Sequence, residues 1–360
     1  MEYDLKGMYA NISKEIKKGE ISLSEEKLNV VCVISDFLSV DDDLGAILKH
    51  NNFTINKVKE NYAIIKTKCF DSVLGKELDV IYHLKIFKEE RLLLFLTTSK
   101  KDFIEKTLFS LIDKLNGFNH LFISPKAFTQ IQEKIFADFP DTLIPFFSAY
   151  RRQHFKFPSK IRPEEQRTIT YRGLDGRETL EELKQFYGIL PRIVEFRIPD
   201  VIQFKLDYRG IFAFEWGEID YIDKIIAKIA ATILNSRKIA EGAKIQHLQI
   251  ENKNKKLETL QIKKCVIRLS RKIEYEDVYE IIKTLGQEQK LIVYDSYAEK
   301  GSLYWSADIW DSLKRNLFTI NSDGIKILLS SKFGTEYDSI LKFYNFVTEN
   351  IDESALLESD

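Results

Sequence analysis

The sequence is poor in the residue types on which most local chemical signatures depend. Its 360 residues include three cysteines, two methionines and five histidines. Cys32, Cys69 and Cys265 lie far apart in apolar, strand-like surroundings. That excludes a dense disulfide framework and suits buried thiols in a reducing compartment. The histidines (His50, His83, His120, His154 and His247) are isolated from one another and from the cysteines, so no metal-ligand spacing is present. Apolar runs such as Leu92 to Leu96 fall far short of the ~18 residues that a membrane span needs. Charge of one sign is also lacking: 54 Lys and Arg stand against 55 Asp and Glu, which leaves no whole-molecule field to attract nucleic acid. The sequence has no GxxxxGK[ST], no GxGxxG after a strand, no HExxH, no CxxC pair and no GxSxG. No cofactor is therefore expected, no catalytic residue is nominated, and a non-enzymatic role is favoured. The polar start MEYDLKGMYANISKEIKKGE has no apolar stretch of a signal peptide, so the expected location is cytoplasmic.

What is present is ample material for globular cores, with 44% hydrophobic and 30% charged residues. From Arg192 the apolar residues Val194, Phe196 and Ile198, then Phe204 and Leu206, alternate with Glu195, Arg197 and Lys205, which predicts half-buried antiparallel strands. From Asp220 the period changes, with Ile222, Ile225, Ile226, Ile229 and Ile233 at helical spacing. A strand, a helix, further strands and a second helix follow one another three times along the chain. The expected fold class is α+β, built of three tandem βαβββα-like units with mostly antiparallel sheets and helices packed on one face. This order resembles that of TATA-binding-like and other open-sheet folds, a likeness of architecture alone. The expected boundaries are 1–140, 141–241 and 264–360, with 242–263, rich in Lys and Asn, as a charged linker or helix extension.

Two acidic stretches look like chemistry but read better as helix starts. In SVDDDLG, Ser39 and the carboxylates Asp41, Asp42 and Asp43 precede Leu44, Ile47 and Leu48, where anions favour the positive end of a helix dipole. The competing reading is a metal-dependent nuclease site made from these residues with Asp36. In GLDGRETLEELK, Asp175 or Gly176 sits near the cap. Tyr304, Trp305 and Trp310 form an aromatic group that reads as an edge of the third core.

One zone stands out. Between Tyr150 and Gly173 the cations Arg151, Arg152, Lys156, Lys160, Arg162, Arg167 and Arg172 face only Glu164 and Glu165. Tyr150, Phe155, Phe157 and Tyr171 are interleaved with them. Guanidinium groups pair with phosphates and stack on bases, and aromatic rings add sequence-tolerant stacking. The expected interface comprises Arg151, Arg152, Phe155, Lys156, Phe157, Lys160, Arg162, Arg167 and Arg172, binding single-stranded or hybrid nucleic acid. The sheet face is a weaker candidate, because Arg197, Lys205 and Arg209 share their strand faces with Glu195, Asp207 and Glu215 as cross-strand partners. The expected function is that of a non-catalytic accessory subunit of a larger protein or ribonucleoprotein assembly, with another protein subunit as partner. The alternatives are a protein-interaction scaffold that meets no nucleic acid and the motif-poor nuclease.

Overall fold

The structure is a computed structural model that describes residues 27–39, 43–59, 61–151, 167–217, 220–242, 245–252, 255–262, 264–288, 290–332 and 337–359. It is an α+β fold of antiparallel sheets. The first strand, β1 (Leu28–Ser35), is apolar along nearly its whole length and is buried on both sides. Helix α1 (Asp43–His50) carries Asp43 in its first turn and Lys49 and His50 in its last, each charge complementing the nearer end of the helix dipole. The acidic stretch is thus a helix start at Asp43, while Asp41 and Asp42 lie outside the described residues. Strands β2 (Thr54–Lys59), β3 (Tyr62–Asp71), β4 (Lys76–Phe87) and β5 (Leu92–Thr97) follow. Then comes a helix, α2 (101–114), whose middle turn over Glu105–Phe109 is π-helical, and the short strand β6 (Phe118–His120).

The central part runs α3 (Pro125–Asp138), β7 (Leu143–Arg151), β8 (Arg167–Arg172), α4 (Gly176–Tyr187), β9 (Leu190–Ile198), β10 (Ile202–Asp207), β11 (Ile211–Gly217) and α5 (Asp220–Gly242). At Gly176 a Cβ would lie 2.0 Å from the Ile144 carbonyl oxygen, so only glycine lets α4 start this close to β7. Gly188, left-handed at φ 57°, ends that helix.

Among the described residues these strands form one sheet in the order β2-β3-β4-β5-β1-β11-β10-β9-β7-β8, with β6 pairing β1. The N-terminal and central segments, expected as units divided near residue 140, therefore share a sheet, closed by antiparallel pairing of Leu28–Val31 with Ile211–Phe214. They also share a core. Val30, Cys32 and Ile34 of β1 pack with Phe128 of α3, Leu180 of α4 and Ile225 of α5, whereas Val31 and Val33 pack with Leu44 of α1 and Leu108 of α2. Alternate residues of one strand face opposite sides, so helices cover both faces here and not one as the sequence suggests.

Where a charged linker or helix extension is expected, the described residues form two strands: β12 (Ile245–Asn252) and β13 (Lys255–Ile262) pair as an antiparallel hairpin. The last part is β14 (Lys264–Arg268), α6 (Tyr275–Glu288), β15 (Leu291–Ala298), β16 (Trp305–Asp311), β17 (Asn316–Ser322), β18 (Lys326–Ser331), α7 (Tyr337–Asn350) and β19 (Leu356–Ser359). Its sheet order, β15-β16-β17-β18-β14-β19, matches β2-β3-β4-β5-β1-β6 position for position. The central segment departs from this order, because β7 and β8 both precede its helix.

The third sheet docks through buried charge. Arg237 of α5, 1% exposed, bonds to Asp36 and, at 3.0 Å, to Glu241, and lies over the Tyr337 ring; Tyr337 donates to Asp36 at 2.8 Å. Nearby, Lys314 donates to the carbonyls of Leu115 (2.9 Å) and Phe118 (2.6 Å) and lies 3.3 Å from Asp338, which accepts from Gly117 N and the Asn119 amide.

Two predictions concern buried charge, one at Asp36 and one at Asp207, which pairs with Lys101 at 2.8 Å and Arg209 at 3.3 Å. Asp36→Ala is expected to cost about 2 kcal/mol, below the ~3–5 of a fully buried pair because Asp36 is part-exposed and Glu241 still faces Arg237. Urea unfolding measures this, and an unchanged midpoint would show that the junction does not depend on the pair. The second concerns Asp207, which burial alone would push up but which the Arg209 and Lys101 charges hold below the ordinary carboxylate value. A depressed folded-state pKa stabilises the fold above the unfolded value of ~3.9, and that contribution disappears as pH falls through the folded value. Asp207→Asn should therefore flatten the loss of thermal stability below about pH 4, and an acid limb as steep as wild type would contradict this.

Candidate nucleic-acid interface and a cavity between the sheets

Six members of the expected interface, Arg152, Phe155, Lys156, Phe157, Lys160 and Arg162, lie outside the described residues. Arg151 does not lie on a surface. It ends β7, is 1% exposed, and donates through Nη1 to the carbonyl of Tyr187 at 2.6 Å. That carbonyl belongs to the last turn of α4, where a cation complements the negative end of the dipole. Tyr150 is also buried, its hydroxyl donating to the Glu349 carbonyl at 3.0 Å, so the start of the cationic zone is a strand and not a connector.

Arg167 and Arg172 stand on β8 with an odd spacing, which sends them to opposite faces. Arg167 lies 4.9 Å from the centre of the Tyr187 ring on the helix-covered side. Arg172 is exposed and lies 5.3 Å from the Phe146 ring. Across the strands, Arg172, Phe146, Glu195, Lys205 and Ala213 are in register. Arg197 and Gln203 form the next row, with Trp216 beside Gln203. The core helices α3, α4 and α5 occupy the other face of β7 to β10, and on this one α2 meets the end of β10, where Lys101 donates to Asp207 at 2.8 Å.

The cross-strand neutralisation is present. Lys205 lies 2.9 Å from Glu195 and 3.7 Å from Glu215, and Lys27 lies 2.7 Å from Glu215, whose hydrogen bond raises the lysine's pKa. Gln203 donates to Glu195 and Glu215 at 2.6 and 2.8 Å and accepts from the Trp216 indole at 3.0 Å. Arg209 pairs with Asp207 and Glu105 at 3.3 and 2.9 Å. Arg172 and Arg197 remain exposed beside the two rings.

The other sequence candidates are dispersed. Asp36 is held by Arg237, and no cluster of three or more His, Cys, Asp or Glu suited to a metal occurs among the described residues. Trp305 is buried in the third core while Tyr304 is exposed, its ring 6.3 Å from that of Tyr297. His83 is buried against the Tyr62 hydroxyl at 2.6 Å. All three cysteines are buried and none is in a disulfide, and burial pushes the Cys265 thiol up to about 12, which makes it unreactive.

A second feature has no sequence signature. A cavity of about 550 Å³ opens where α2, β6, α3, α5, α7 and the turns at 208–209 and 314 meet. Phe109, Phe118, Phe122, Tyr208, Tyr221 and Tyr344 contribute rings to its wall. His120 Nε2 lies 3.2 Å from Asp113 Oδ1, and its ring meets Phe109 edge-on at 4.5 Å. Burial pushes the Asp113 pKa up, but the hydrogen bond from His120 and the nearby Lys342 and Lys314 charges help to outweigh this and hold it low, so Asp113 is a carboxylate that accepts the proton carried by Nε2. His120 Nδ1 is buried with no hydrogen-bond partner among the described residues. Lys342, whose pKa burial lowers, is 3.1 Å from Asp311. The signal that sequence reading lacked is proximity: Asp113 and His120 are seven residues apart across the end of a helix, a spacing with no motif attached.

The chain is similar to two known sequences. Residues 126–209 match the model of the AF_0896_M family middle domain, a stretch from α3 to the turn after β10 that includes the whole cationic zone. Over 358 residues the chain is 26% identical to an uncharacterized protein of Archaeoglobus fulgidus, covering 96% of this chain and 93% of that one. The likeness thus extends over both sheets.

Proposed function

We propose that this chain is a non-catalytic accessory subunit that holds single-stranded or hybrid nucleic acid along the open face of β7 to β10 and the cation-rich segment joining β7 to β8. The observation that carries this reading is the pairing of exposed Arg172 with Phe146, beside exposed Arg197 and Trp216, on the face of the sheet opposite the core helices α3, α4 and α5. An antiparallel sheet offering rings for bases and guanidinium groups for phosphates suits unpaired strands, whose bases are free to stack. Paired Lys205 contributes little to such a contact, and buried Arg151 none. An accessory subunit also needs a surface for its partner. The third sheet ends at β15, which exposes Ile292, Tyr294 and Tyr297 along an edge free of described strands. No helix among the described residues is long and apolar enough to cross a membrane.

The reading is tested by salt titration of oligonucleotide binding. Each phosphate-bound cation contributes ~0.7 to the slope of log affinity against log salt for a single strand. Replacing Arg152, Lys156 and Lys160 together by Ser is expected to flatten that slope by about two units. Phe146→Ala should weaken binding about tenfold or more with little change in slope, since stacking releases no counterions. Arg151→Met should leave the slope unchanged. If wild-type protein binds neither single-stranded nor hybrid oligonucleotide in a salt-sensitive way, the nucleic-acid reading is wrong.

A further inference from the structure

We propose that the cavity between the sheets binds an uncharged, planar aromatic molecule carrying an N–H or O–H donor on its edge. Its volume of about 550 Å³ lies within the range of small-molecule sites, and such sites combine apolar walls with a few placed polar groups. Six aromatic side chains from α2, β6, α5, α7 and two turns provide surfaces for a flat ring.

Charge on the wall is already balanced from within the protein. Arg209 is satisfied by Glu105 and Asp207, Lys314 by Asp338 and two carbonyls, Lys342 by Asp311, Glu349 by Arg192, and Asp113 by the hydrogen bond from His120 with the Lys342 and Lys314 charges nearby. A charged ligand would surrender its hydration without meeting an unpaired counter-charge in the depth of the site. Lys134 and Lys224 line the rim but are exposed, where water screens them. An uncharged molecule is the better match.

The polar requirement comes from His120. Because the Asp113 carboxylate only accepts, it takes the Nε2 proton, and in the neutral imidazole Nδ1 is then a lone-pair acceptor. That acceptor is buried and has no partner among the described residues, which is unfavourable until a donor reaches it. A ligand N–H or O–H lying among the rings supplies one. The site is apart from the open sheet face, so this inference stands or falls independently of nucleic-acid binding.

The test uses the full chain with two probes of the same ring: 1-naphthol, which has a donor, and 1-methoxynaphthalene, which has none. Equilibrium dialysis should give one site per chain, with 1-naphthol bound about tenfold more tightly, the size of one hydrogen bond. Affinity should not change between ~50 and ~500 mM salt. His120→Phe should make the two probes equal. Filling the cavity from either wall, by Ile131→Trp on α3 or Ser236→Trp on α5, should abolish binding of both while circular dichroism shows a native fold. Tyr294→Ser, on the exposed edge of the third sheet, should bind as wild type. The inference is overturned if neither probe binds, if binding survives in a folded cavity-filling variant, if the two probes bind equally to wild type, or if Tyr294→Ser removes the site.

Discussion

Everything in the larger sheet depends on β1 being apolar on both sides. Its Val30, Cys32 and Ile34 belong to one core and its Val31 and Val33 to the other, while its two edges pair with β5 and β11. A strand so placed has no solvent-facing side, and a single charged substitution would be buried whichever way it pointed. Among the described residues, its hydrogen-bonded pairing with β5 on one edge and β11 on the other makes one layer from strands that are far apart in the chain. The open face of β7 to β10 and the wall contributed by Ile34 to the cavity are both consequences of where that strand lies.

The third sheet is attached by different physics. Its contacts with the rest include Tyr337 with Asp36 and Arg237, Lys314 with the Leu115 and Phe118 carbonyls, Asp338 with Gly117 N and the Asn119 amide, and Glu349 at 3.8 Å from Arg192, which stacks between Tyr150 and Tyr208 at 4.2 and 4.7 Å. Buried charged groups held in this way add little net stability relative to apolar packing, because desolvation offsets attraction. They do demand a single geometry, since a displacement that separates the partners leaves a charge buried and alone. The cavity lies along this polar junction, so its shape is defined by groups that tolerate little sliding.

Much of the secondary structure was legible in the sequence, and much of the assembly was not. Alternation at Val194, Phe196 and Ile198 identified β9, and the acidic run before Leu44 identified the start of α1, because both signals act within a few residues. The strand β7 was missed: LIPFFSAYR is apolar on both faces and runs into a cation-rich stretch, so Tyr150 and Arg151 read as connector when both are buried. The hairpin at 245–262 was missed for the opposite reason, a stretch rich in Lys, Asn and Gln whose apolar residues are too sparse to stand out as strand alternation. The order and pairing of strands agree only between the first and last segments, and no residue pattern distinguishes which strand lies beside β9. The candidate interface was visible as composition, yet its division into buried Arg151, inward Arg167 and outward Arg172 required strand register. The cavity was invisible because its lining is gathered from helices and turns more than 200 residues apart.

The pairing of β1 with β11 has a consequence for the ribosome. β1 can join β5 once residue 97 has emerged, but its other edge awaits a strand that begins at residue 211. At ~5–20 residues per second that interval lasts roughly 5 to 25 seconds. For that time the nascent chain carries an apolar strand with unpaired backbone groups, the kind of edge that recruits other chains. The short strand β6, which covers Val33 to Ser35 as soon as residues 118–120 appear, shields part of it early. Val30 and Val31 stay open until the central segment arrives, so slower translation of that stretch would lengthen the exposure in direct proportion.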